Sequence, residues 1–145
     1  SIVSEISPLL LVLKSGINFK ALIIEEPEAH LHPELQQKMA RLIINMKNLG
    51  IPVWITTHSD TILQHINNMI KLKKHARSNE LQQEYGYKKA DLLSKDDIRM
   101  YQFAAGKNGK TRLTSLDATR YGFVVPTFNN ALEKIVDEVY AFQED

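Results

Sequence analysis

The sequence predicts an α/β fold: parallel strands flanked by helices, then an antiparallel hairpin and a final helix. Three observations carry that expectation. Residues 21–24 and 51–57 are two apolar runs of strand length, separated by one amphipathic segment of helix length. Strand, helix and strand within about 35 residues form a βαβ unit, which implies parallel pairing and a right-handed crossover. Residues 98–103 and 111–116 alternate from side to side about a turn holding two glycines and an asparagine, the pattern of a hairpin. After Pro126, the side chains of Phe128, Leu132, Ile135, Val139 and Phe142 recur at helical spacing.

Taken in order, Ser7-Pro8, the apolar run to Leu13 and Ser15-Gly16 predict a short helix capped by Ser7 or, with an earlier start, by Ser4. It is apolar all round, so burial on several sides is expected. Ala21-Leu22-Ile23-Ile24, ended by Glu25, Glu26 and Pro27, reads as a buried strand of a parallel sheet. Apolar character alone would also fit a helix. Pro33 opens a long helix to about Leu49, stopped by Gly50, with Leu35, Met39, Leu42, Met46 and Leu49 on one stripe. Ile51 to Thr57 is rich in β-branched residues and makes the second strand. Ser59 or Asp60 caps a helix that carries Ile62, Ile66, Met69 and Ile70 on one side and runs to about His75. Periodicity then fails, so residues 76–97 are expected as an exposed loop with room for a short helical piece. The chain is expected as a single domain over residues 1–145. Within it, 1–75 carries the motifs, 76–97 the loop, and 98–145 the hairpin and last helix.

Composition narrows the class. At 145 residues the chain can bury a core of its own, and 43% apolar with 24% charged residues is ordinary for a soluble globular protein. A net charge of +1 argues against a strongly electrostatic nucleic-acid binder and leaves only local patches. Lys71, Lys73, Lys74, His75 and Arg77 form one such patch, although at a helix end they also suit the helix dipole and water. The absence of cysteine excludes disulfides and thiolate metal sites, which fits a cytoplasmic setting. The longest apolar run, Pro8 to Leu13, is too short to span a bilayer and no signal peptide is evident, so no membrane partner is expected. The chain begins at Ser1 without a methionine, which sets the expectation of a fragment.

The chemistry concentrates at the end of the first strand. Side chains alternate along a strand, so Glu25 and Glu26 leave it in different directions. In open α/β sheets that end is where ligands bind. Two adjacent carboxylates there can divide the labour of phosphoryl transfer, one holding a hard cation and the other orienting an attacking water. His58 follows the second strand and two threonines; a neutral imidazole can both accept and donate a hydrogen bond. Plainer readings remain open. Acids near a helix N-terminus are favourable in themselves, and a histidine there can cap the helix that follows.

Ile23-Ile24-Glu25-Glu26-Pro27-Glu28-Ala29-His30-Leu31-His32-Pro33 closely resembles the Walker B and D-loop segment of ABC-type ATPases. The likeness is best to the prokaryotic AAA-like branch related to the SMC, RecF and OLD proteins. Trp54-Ile55-Thr56-Thr57-His58-Ser59-Asp60 resembles the same family's switch strand and H-loop. The resemblance implies a partial P-loop NTPase lobe of ABC ATPase type that uses ATP and Mg2+. It implies that Glu25, at a position more often aspartate, contacts the magnesium ion. Glu26 would be the catalytic carboxylate that polarises the attacking water, and His58 the catalytic sensor of the γ-phosphate. His30 and His32 would lie in the D-loop, which crosses a dimer interface toward the partner's nucleotide. That explains them better than a zinc site with His58, since zinc wants three or four ligands in tetrahedral array. Ser4 stands where the family's signature serine holds the opposing γ-phosphate, but the commoner signature's glycines are missing and helix capping explains it equally well.

No Gly-x-x-x-x-Gly-Lys-Ser/Thr loop occurs among the 145 residues, and Gly106 to Thr111 lacks the spacing. The family carries that loop upstream. The chain is therefore expected as the C-terminal half of a longer ATPase, inactive alone and a homodimer when intact, with DNA or a nuclease as candidate partner in repair or phage defence. The alternative is a degenerate ATPase lobe that serves as a dimerisation or partner-binding module.

Overall fold

Leu22–Glu25 forms β1 and Val53–Thr56 forms β2; the two pair in parallel, Leu22 beside Val53 and Glu25 beside Thr56. Between them runs α1, Pro33–Asn48. Proline suits its first turn because that N–H has no helical partner. Leu49 caps its end and Gly50 follows, with a φ of 88° that is open to glycine at no steric cost. Asp60–Lys74 forms α2, capped by Ser59, whose Oγ accepts from the Ile62 N–H at 3.1 Å. These boundaries follow the expected ones within two residues.

The computed structural model describes Ser7 and residues 10–12, 14–16, 20–106, 109–119 and 122–142. Residues 1–94 and 95–145 form two compact units, so the boundary falls inside the stretch expected as a loop. Among the described residues, no helix is long and apolar enough to cross a membrane.

In the first unit, α1 is the central layer. Leu31, Met39, Ile43 and Met46 pack against Leu22, Ile24, Val53 and Ile55 of the sheet. α1 also packs on α2, where Ile62, Leu63, Ile66, Met69 and Ile70 are buried. Burying such side chains stabilises by about 1.5–3 kcal/mol each before conformational entropy is subtracted. The strands are half covered rather than buried, contrary to expectation. Ile23 is 72% and Trp54 71% exposed, and these two are register partners on the face away from α1. Likewise, the first helix was expected to be buried on several sides, but its described residues Leu10, Leu11 and Val12 are all exposed. An apolar pattern states which surface favours cover; it does not state that the same residues supply it.

The 76–97 stretch holds the short helical piece that the sequence left room for, but its later part is buried where exposure was expected. Ser78–Glu84 forms α3, Lys89–Asp91 a 3-10 turn, and Asp91 and Leu93 are buried at 4% and 1% exposure. Part of the stretch's contact with α1 is polar, and polar partners leave no apolar period to read. Asn45 Nδ2 donates to Asp91 Oδ1 at 2.7 Å, and Asn48 Nδ2 donates to the carbonyls of Ala90 and Leu92 at 2.8 and 3.0 Å.

In the second unit, Met100–Ala105 (β3) and Thr111–Leu116 (β4) pair antiparallel, Met100 opposite Leu116. The hairpin closes where Gly106 N–H donates to the Lys110 carbonyl at 2.7 Å; a Cβ at Gly106 would sit 2.6 Å from that oxygen, so only glycine fits. Pro126–Ala141 forms α4, on which Ile135, Val139 and the following Phe142 are exposed.

Candidate functional site

The site grows from the end of the parallel ladder. Glu26 N–H donates to the Thr56 carbonyl at 2.9 Å, extending the β1–β2 pairing by one residue. The chain then turns sharply. Glu26 has φ 44° and His30 φ 62°, both in the left-handed region, which costs a non-glycine residue about 1–2 kcal/mol. Two hydrogen bonds of 2.9 Å hold the turns between them, Ala29 N–H to the Glu26 carbonyl and Leu31 N–H to the Glu28 carbonyl. Pro27 and Leu31 are buried beneath, and the chain enters α1 at Pro33.

That turn brings two expected site residues together. His58 Nε2 lies 3.6 Å from Glu26 Oε1, their side chains 87% and 56% exposed. At that distance neither group is consumed by a hydrogen bond to the other, and both can engage a third. Glu25 ends β1 beside Thr56, exposed. The remaining expected residues are placed differently. His32 caps α1, its Nδ1 accepting weakly from the Glu34 N–H at 3.4 Å. His30 is exposed, and among the described residues no polar contact joins it or His32 to Glu26 or His58. Ser4 lies outside the described residues.

Among the described residues, no group of three or more His, Cys, Asp or Glu side chains is placed to hold a metal ion. Mg2+ does not require one, because it is usually held by one or two carboxylates together with water and substrate phosphates. The exposed hard oxygens of Glu25 fit that donor set.

Behind the exposed pair lies a polar stitch. Glu28 Oε1 accepts from Thr57 Oγ1 and from the His58 N–H, each at 2.7 Å. Thr57 Oγ1 in turn accepts from Ser59 N–H at 3.0 Å. Ser59 Oγ donates to Gln36 Oε1 at 2.6 Å, while Gln36 Nε2 donates to the Leu31 carbonyl at 2.9 Å. The β1–α1 connection is thus tied twice to the β2–α2 junction.

Comparison with known families now bears on this arrangement. Residues 14–63 match the family model of the AAA ATPase domain. The match covers about a third of the chain and takes in β1, the acidic turn, α1, β2 and the start of α2. It includes Glu25, Glu26, Glu28, His30, His32 and His58, and it leaves out Ser4. It supports an AAA-like ATPase and a function of ATPase type. No curated protein and no solved structure matches the chain.

Two features of the first unit, one inside the matched residues and one mostly beyond them, were not legible beforehand. Glu28 gave only the signal of an acid near a helix start, and nothing in the sequence pairs it with residues 57 and 58. The second is a buried cluster around His65, which joins α1, α2 and the 86–91 segment. Arg41 Nε donates to His65 Nε2 at 3.2 Å, and its Nη1 donates to the Gly86 carbonyl at 2.8 Å and lies 4.0 Å from Asp91 Oδ2. Its guanidinium covers the Tyr87 ring at 4.1 Å, and that ring stacks on His65. Residues 22 to 50 positions apart carry no periodic signal of such a meeting.

Proposed function

We propose that this chain carries the hydrolytic edge of an ATPase site. Glu26 orients the attacking water, Glu25 holds Mg2+ directly or through water, and His58 contacts the γ-phosphate. The observation that supports this best is the 3.6 Å approach of His58 Nε2 to Glu26 Oε1 at the carboxyl end of the parallel strands. There a water held by the carboxylate and a phosphate oxygen held by the imidazole would be neighbours, as in-line transfer requires. Mg2+, when bound, supplies charge neutralisation at the phosphates. With Nδ1 of His32 used in capping α1, its Nε2 is what remains for a ligand.

The 145 residues contain no Walker A loop, so the α- and β-phosphates would be cradled by other polypeptide. The chain by itself should bind Mg2+·ATP weakly. Titration followed by backbone amide resonances should move residues 25–32 and 56–60, and chelating the magnesium should reverse the shifts. Shifts confined elsewhere would refute the assignment. In the assembly that supplies the cradle, Glu26→Gln should lower turnover by about 10²–10⁴-fold, the usual contribution of a positioned general base, while nucleotide still binds. Unchanged turnover would remove Glu26 from the chemistry.

A further inference from the structure

We propose that Glu28 is a positioning residue, whose carboxylate fixes the Thr57–His58 junction so that the imidazole stands beside Glu26. The role rests on the ATPase reading above, but its geometry does not. Glu28 sits in the turn between β1 and α1, thirty positions before His58. One oxygen, Oε1, receives both the Thr57 hydroxyl and the His58 backbone N–H at 2.7 Å. Two short bonds to one oxygen, from a side chain and from the backbone, fix the residue from which the imidazole departs.

The other oxygen makes the arrangement distinctive. Oε2 is buried and, among the described residues, has no hydrogen-bond partner. A carboxylate held half-satisfied is costly, and a residue selected only for stability would do better as an apolar side chain of similar shape. What Glu28 provides that an apolar side chain cannot is the double acceptor at Oε1. Among the described residues the exposed imidazole has no other anchor of this kind, for its side chain makes only the 3.6 Å approach to Glu26. Glu26 itself hangs from the same turn through Ala29 N–H. Glu28 therefore links the two arms of the site: the turn that carries the acid and the junction that carries the imidazole. The Gln36–Ser59 bond at 2.6 Å braces the same junction from α1.

Two substitutions separate the acceptor from the charge. Glu28→Gln keeps an oxygen able to take both donors, whereas Glu28→Leu keeps the bulk and removes the acceptor. In the ATP-hydrolysing assembly, Glu28→Leu should lower kcat by about 10²-fold, the scale of a displacement of about 1 Å in a catalytic group, with KM for ATP little changed. Glu28→Gln should stay near wild type. Thr57→Val, which removes one donor and is gentler on folding, should fall between. Retained kcat in Glu28→Leu, or equal loss in Gln and Leu variants, overturns the proposal. A second readout needs no turnover: amide hydrogen exchange at His58 in the 145-residue chain should be slow in wild type and Glu28→Gln and fast in Glu28→Leu. Fast exchange in wild type overturns the proposal as well. Failure of the ATPase reading would show instead as unchanged turnover in Glu26→Gln, with the exchange pattern intact.

Discussion

His65 is a basic group surrounded by reasons not to carry charge. Its Nε2 accepts from Arg41 Nε, so in the neutral ring the proton sits on Nδ1, 3.4 Å from the Tyr87 hydroxyl. Burial, and after it the Arg41 cation, push its pKa below the ordinary 6.5, while Asp91 pulls weakly the other way. The folded pKa thus lies under the unfolded one. In the window between them the unfolded chain takes up a proton and the folded chain does not, so stability is fully present above about pH 6.5 and lost as pH falls through the lowered value. Thermal unfolding from about pH 7 to about pH 5 should show a steeper loss of Tm in wild type than in His65→Gln, whose oxygen accepts from Arg41 at any pH. Parallel losses would assign the acid sensitivity to other groups. None of this was visible in the sequence, where a histidine in a helix is equally at home on either face.

At the scale of elements, the chain's punctuation was legible because each signal acts locally. Pro33, Gly50 and Ser59 act through their own φ angle or side-chain oxygen, and α1 and α2 begin and end beside them. The alternation of residues 98–103 and 111–116 likewise signalled the hairpin, although β3 runs two residues later, over Met100–Ala105. The depth of burial was not legible, because it depends on neighbours that no local pattern names. Ile43 and Ile23 make the contrast testable. Ile43 is buried in α1 against the sheet, so Ile43→Ala should cost about 2–5 kcal/mol by denaturant unfolding. Ile23 is an equally apolar strand residue on the open face, and Ile23→Ala should change stability by about 0.5 kcal/mol or less. A large cost at Ile23 would mean that the face is covered in solution.

At the scale of the molecule, the pairing of the acidic turn with His58 could be anticipated because both follow the same ends of two parallel strands, and the strand register carries them to one place. Glu28, Gln36 and the His65 cluster could not, since their partners are chosen by tertiary packing alone. The same register carries a practical gift. Trp54 is the chain's sole tryptophan, and it stands uncovered two positions before Thr56 on the sheet that leads to the acidic turn. Its indole should therefore emit like a hydrated fluorophore and be readily quenched by acrylamide. Anything that settles on that side of the sheet will shift the emission blue and shield it, so the protein carries an intrinsic optical gauge of its own docking. A blue, poorly quenched emission from the isolated chain would contradict the open face.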